Sequence, residues 1–172
     1  MFKAAVQIIS AILFCLCGKI FSDARAEPRR VTERTIPRFV SLKRSKTNVR
    51  FGPGTQYPVR WVYQRQGLPL EIVSEFGNWR RIRASDGSDG WVHAALLSTR
   101  RTALAAPWDK ISIQLRAEPG DRAAVLARLE PRVLVDLKHC DRIWCAVSVP
   151  GKNLWGYVRQ VKLWGVYPDE TI

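Results

Sequence analysis

The chain has 172 residues, with 28 Lys and Arg against 15 Asp and Glu, two His, four Cys and seven Trp. Such a length holds one or two small domains. The sparse His and Cys leave out most metal sites and make a Cys/His or Ser/His/Asp catalytic machine a poor expectation.

The N-terminal segment has a layout of its own. Met1-Phe2-Lys3 is a positive start, Ala4 to Gly18 is almost wholly apolar, and Ala24-Arg25-Ala26 sets small residues at the −3 and −1 positions of a cut. This predicts a secretory signal peptide over 1–26, with an apolar core too short to span a membrane. A lipoprotein is the weaker alternative, because Phe14-Cys15-Leu16-Cys17 lacks a small residue before the cysteine. Cleavage leaves a strongly basic chain whose only cysteines are Cys140 and Cys145, with no transmembrane segment expected, bound for the periplasm or the exterior. Residues 27–37, polar and bounded by Pro28 and Pro37, read as a flexible lead-in.

From Arg38 onward, short runs rich in Val, Ile, Trp and Tyr (FVSLKR, WVYQR, LPLEIV, WRRIRA, GWVHAALL) are broken by Gly, Pro, Asn and Asp about every ten residues. The fold class predicted is all-β, and no run sustains a helical period long enough for a major helix. The pattern then repeats. Asn48-Val49-Arg50-Phe51-Gly52-Pro53-Gly54 aligns with Gln114-Leu115-Arg116-Ala117-Glu118-Pro119-Gly120 at an offset of 66. Trp79-Arg80-Arg81-Ile82 aligns with Trp144-Cys145-Ala146-Val147 at 65, and Gly90-Trp91-Val92 with Gly156-Tyr157-Val158 at 66. Two copies of one small unit therefore fill the chain after the leader. The predicted boundaries are 38–99 and 107–167, with a linker over 100–106 and a tail over 168–172. Ala103 to Trp108 could equally belong to the second unit's first strand.

The order N-V-R-x-G-P-G, then G-N-W-x-x-I, then D-G-x-x-G-W-V resembles the bacterial SH3-like domain. The first copy fits closely. The second has Gln114 for the Asn, Ala117-Glu118 at the x-Gly step and Tyr157 for the Trp. The resemblance implies two tandem small SH3-like β-barrels in an exported or cell-envelope protein, with peptidoglycan peptides or envelope proteins as ligands.

Several residues carry candidate roles. Cys140 and Cys145 close a short loop, for which an exported protein predicts a disulfide; a redox dithiol is disfavoured by spacing that is not C-x-x-C. The first copy has Glu75 and Arg80 there, so the bridge would replace a cross-strand contact. In a regular strand residues three apart face opposite sides. If Ile82 and Val147 enter the core, Trp79 and Trp144 then point outward. Beside Tyr57 and Trp61 they could line an aromatic ligand groove, or else cover a barrel end. Trp91 and Tyr157 share one position and are further candidates, with packing at the rim or between copies as the alternative. Arg50 and Arg116 recur in the turn block, where each could bond a loop carbonyl or an acid. The apolar end, Trp164-Gly165-Val166-Tyr167, is either tucked in or offered to another chain.

Basic clusters at Lys43-Arg44-Lys46, Arg80-Arg81-Arg83 and Arg100-Arg101 suit anionic envelope surfaces, or solubility alone. They would suit nucleic acid too, but the export signal argues against that partner. His93 and His139 have no nucleophile or metal partner at useful spacing, and no phosphate loop or zinc signature occurs. The expectation is a binding or adaptor protein that is not an enzyme and uses no metal or cofactor. The competing expectation is a structural subunit docking on a larger assembly through its basic face or apolar tail.

Overall fold

A computed structural model describes residues 35–172. The predicted signal peptide and all but the last three residues of the lead-in fall outside them. Fourteen strands follow: β1 (Arg38–Leu42), β2 (Thr47–Arg50), β3 (Val59–Tyr63), β4 (Pro69–Phe76), β5 (Trp79–Arg83), β6 (Asp89–His93), β7 (Leu97–Ser98), β8 (Thr102–Ala105), β9 (Ile113–Arg116), β10 (Val125–Leu129), β11 (Leu134–Cys140), β12 (Trp144–Ser148), β13 (Trp155–Arg159) and β14 (Leu163–Trp164). Single 3-10 turns, Ala94–Leu96 and Gln160–Lys162, precede β7 and β14. The sheets have the orders β3-β2-β6-β5-β4-β1-β7 and β10-β9-β13-β12-β11-β8-β14, the same topology twice.

Alternation builds each core. Val49, Leu70, Ile72, Ile82 and Val92 meet Val40 and Leu42 in the first copy; Leu115, Val135, Leu137, Val147 and Val158 meet Ala103 and Ala105 in the second. In the first copy all seven strands give residues to or against one cluster, which requires the sheet to wrap around it. Closure is partial: the outermost strands, β3 and β7, are not hydrogen-bonded to each other. Gly90 and Gly156 allow the crossings. A Cβ on Gly156 would stand 2.5 Å from the Arg116 carbonyl oxygen, and one on Gly90 2.4 Å from a Val49 methyl.

The junction is shorter than the predicted linker. Residues 102–105 form β8, paired with β11 and β14, so the second unit begins at Thr102 and not at 107. β1 and β8 are buried on both faces from Phe39 to Leu42 and from Thr102 to Ala105, respectively. One face of each serves its own core, and the other faces the sister copy. Phe39 packs edge-on against Trp164 at 5.2 Å and tilted against Tyr167 at 4.7 Å. Thr102 Oγ1 donates to the Gly67 carbonyl at 2.7 Å, and Ser41 Oγ to that of Arg100 at 2.8 Å. Glu71, 2% exposed, accepts from Tyr167 Oη at 2.9 Å and pairs with Arg83 at 2.6 Å.

The predicted tail, 168–172, is likewise part of the fold. Gln160, 1% exposed, donates through Nε2 to the carbonyls of Tyr167, Pro168 and Glu170. Glu170 pairs with Arg101, and the main chains of Ile172 and Cys140 exchange two hydrogen bonds at 3.2 Å. The apolar end is therefore occupied within the chain, which removes it as the docking element of the structural-subunit reading.

Cys140 and Cys145 form a disulfide across a directly paired position of β11 and β12. At the equivalent pair of β4 and β5, Arg80 Nε lies 3.0 Å from Glu75 Oε1. A second difference sits between those strands. The turn needs a left-handed residue, which is Gly77 at φ 52° in the first copy and Arg142 at φ 81° in the second. A side chain there costs about 1–2 kcal/mol. The second copy holds the turn with Asp141 Oδ1, which accepts from Ile143 N–H at 2.9 Å and Trp144 N–H at 2.7 Å, and with Gln160 Oε1 accepting from Arg142 N–H at 3.1 Å.

Candidate binding grooves

Strand register decides which aromatic residues meet. In the first copy Ile82 pairs with Gly90 and Arg80 with Val92, on the core side; Trp79 pairs with His93 and Arg81 with Trp91, on the outer side. Arg50 pairs with Trp91, which brings Asn48 and Arg50 of β2 onto that outer face. Trp79 thus points outward, half-buried, with its ring 5.4 Å from that of His93 in an edge arrangement. Around it opens a groove of about 430 Å³ lined by Lys46, Asn48, Arg50, Thr55, Trp79, His93 and Leu96.

The second copy carries a groove of about 380 Å³ whose lining includes Ser112, Gln114, Arg116, Asp121, Trp144, Arg159 and Lys162. Each of these aligns with a lining residue of the first groove, at the offset of 66, or 65 for the tryptophans. The grooves are one site, duplicated.

The other candidates lie elsewhere. Trp61 pairs with Val49 on the core side, packs against the first core, and is covered by Arg60 with its guanidinium carbon 4.8 Å from the ring. Tyr57 lies over Gly52 in the preceding loop. Neither lines the groove with Trp79, because β3 presents Trp61 to the opposite face of the sheet. Trp91 and Tyr157 stand on the outer face, beside Arg50 and Arg116 in register, and outside both linings. No aromatic candidate is buried between the copies.

Arg50 and Arg116 do the same thing twice. Arg50 Nη1 donates to the Tyr57 carbonyl at 2.7 Å and Arg116 Nη1 to the Ala123 carbonyl at 2.6 Å, closing the loop beside each groove. Of the basic clusters, Arg80, Arg81, Arg83, Arg100 and Arg101 are spent on Glu75, Asp89, Glu71, Asp136 and Glu170. Lys43, Arg44 and Lys46 enter no ion pair among the described residues. No acid lines the first groove. His93 Nδ1 accepts from Ala95 N–H at 3.2 Å, which assigns the ring proton of the neutral form to Nε2. Sequence alone places Asn48 in the turn block and Lys46 in a basic cluster, and gives neither these nor His93 a place beside Trp79. Among the described residues no group of three or more His, Cys, Asp or Glu side chains could hold a metal.

The model of the bacterial SH3 domain matches residues 43–99 and again 111–165. The chain belongs to the bacterial SH3 domain family. No curated protein matches it. Among solved structures, two NlpC proteins from Trichomonas vaginalis, NlpC2 and NlpC1, are similar at 10% and 12% identity, each with a TM-score of 0.32. The alignments cover 74% and 76% of this chain and 48% and 46% of theirs. An NlpC/P60 family protein from Bacillus cereus is similar at 13% identity and a TM-score of 0.33, over 73% of this chain and 55% of that one. This SH3 pair thus spans about half the length of those proteins.

Proposed function

We propose that the chain is an exported, non-catalytic binding protein of the bacterial cell envelope, and that its first groove takes a carboxylate-bearing peptide of the cell wall. The observation that carries this reading is the outward Trp79 set among Lys46, Arg50 and His93 with no acid in the lining. An indole face offers an apolar platform to an extended chain. Arg50 and Lys46 supply positive charge and His93 Nε2–H and the Asn48 amide supply directed donors, a set complementary to carboxylate and amide groups. Family membership, the signal-peptide pattern at 1–26 and the disulfide support an envelope location. Among the described residues no helix is long and apolar enough to cross a membrane.

Co-sedimentation with purified peptidoglycan sacculi tests it. The chain is expected to pellet with sacculi, and Trp79→Ala to weaken binding about tenfold or more, as loss of a tryptophan anchor does. Failure of the unaltered chain to pellet overturns the reading, and so does unchanged binding by a Trp79→Ala variant that keeps its circular dichroism.

A further inference from the structure

The two grooves share their backbone, and of the seven aligned pairs only Arg50/Arg116 and Trp79/Trp144 keep the same residue; two of the five differing pairs bear on access to the tryptophan. Where the first has Thr55 and His93, the second has Asp121 and Arg159. Arg159 lies over Trp144 with its guanidinium carbon 4.5 Å from the ring. It is held there by Asp121, bonded to Nε at 3.1 Å and also to Nη2. Trp144 is consequently only 8% exposed, whereas Trp79 stays half-buried under an imidazole that has no acid to bind. A second ion pair, Lys162 to Asp109 at 3.0 Å, neutralises the lysine of the second lining.

We propose that these are one site in two states: the first groove open for a ligand carboxylate, the second closed by a carboxylate of the chain itself, Asp121. In the second groove the protein already makes the contact that a ligand anion would make, and the guanidinium occupies the indole face that an apolar group would use. A ligand entering there must displace both. An exposed ion pair and one cation–π contact together make the second site weaker by about tenfold. The chain therefore behaves as a single-site binder at working ligand concentrations, and its second copy contributes the docked C-terminal segment and the interface. This inference rests on the reading of the first groove as the binding site, yet the open and closed states can be tested without any ligand.

The test has two arms on the full chain. Hydroxyl-radical footprinting read by mass spectrometry should oxidise Trp79 several-fold faster than Trp144. The exchange Asp121→Thr with Arg159→His should raise oxidation of Trp144 towards that of Trp79. The reverse exchange, Thr55→Asp with His93→Arg, should protect Trp79. Equal oxidation of the two tryptophans in the unaltered chain, or exchanges that leave both rates unmoved, overturns the assignment whatever the ligand proves to be. In the second arm N-acetyl-D-alanyl-D-alanine, a peptide with a free carboxylate, is titrated calorimetrically beside its C-terminal amide. One tight site is expected for the acid, about tenfold weaker binding for the amide, and a second tight site after opening of groove two. Two equal sites in the unaltered chain overturn the asymmetry while the proposed function stands. Unequal footprints with no binding to sacculi leave the asymmetry standing and remove the function.

Discussion

Removing the Cys140–Cys145 bridge, by Cys140→Ala with Cys145→Ala, should lower stability by about 2 kcal/mol, the loop-closure entropy of a six-residue ring. The effect on melting depends on how the copies are joined. One kcal/mol shifts the midpoint by about 4–8 °C in a unit of 60–100 residues and by about 2–4 °C in one of 150–250. The Phe39, Trp164 and Tyr167 contacts and the Glu71 bond couple the two cores. One transition, lowered by about 4–8 °C, is therefore expected in differential scanning calorimetry. Glu75→Gln, which removes the ion pair to Arg80 at the matching place and the one to Arg38, should cost less, about 0–1 kcal/mol, because all three side chains are partly exposed. Arg142→Gly should recover part of the loss in the cysteine-free chain, since glycine adopts the left-handed turn without strain. An unmoved midpoint would refute the role of the bridge. Two resolved transitions, of which only one shifts, and by more than about 8 °C, would refute the coupling.

Tyr167→Phe leaves Glu71 Oε1 without its cross-copy donor and should cost about 1.5–3 kcal/mol in urea titration. Burial and the Glu71 carboxylate both raise the Tyr167 pKa, so the hydroxyl remains a donor into alkaline solution. Burial pushes the Glu170 carboxyl up, but its bonds from Arg101 and from Tyr167 N–H outweigh this and hold it below its ordinary 4.5. A depressed folded-state value means that the contribution is complete above pH 4.5 and is lost as the pH falls below it. Urea midpoints measured down that range should drop more steeply for the unaltered chain than for Glu170→Gln.

Much of the fold was legible because turn chemistry and strand alternation act locally. Asn48 to Gly54 and its partner at 114–120 announced the repeat, and residues three apart in Trp79-Arg80-Arg81-Ile82 announced that Trp79 faces away from Ile82. Strand parity speaks for one strand only. It could not show that Trp61, two strands away, faces the core, because the pairing of β2 with β3 sets that orientation. Nor could it bring Lys46 and His93 beside Trp79, since those positions converge only through the orders of β2, β6 and β5. Residues 102–105 looked like a junction for a similar reason. Leu104 breaks the alternation expected of a strand with a wet face, because both faces of β8 are dry.

Composition and local pattern by themselves determined the all-β class, the duplication, the cysteine pairing and the outward set of Trp79. These follow from backbone preferences and from a period of two, which operate within a few residues. Only the tertiary structure decided that Glu71 and Tyr167 join the copies, that the last five residues are docked by Gln160, and that one groove is open while its twin is shut by Asp121 and Arg159. Gln160 reaches carbonyls only 7 to 10 residues on, but the other two contacts join side chains far apart in sequence, 38 residues for Asp121 and Arg159 and 96 for Glu71 and Tyr167. Their meeting is set by sheet order and register, which short-range preference does not encode.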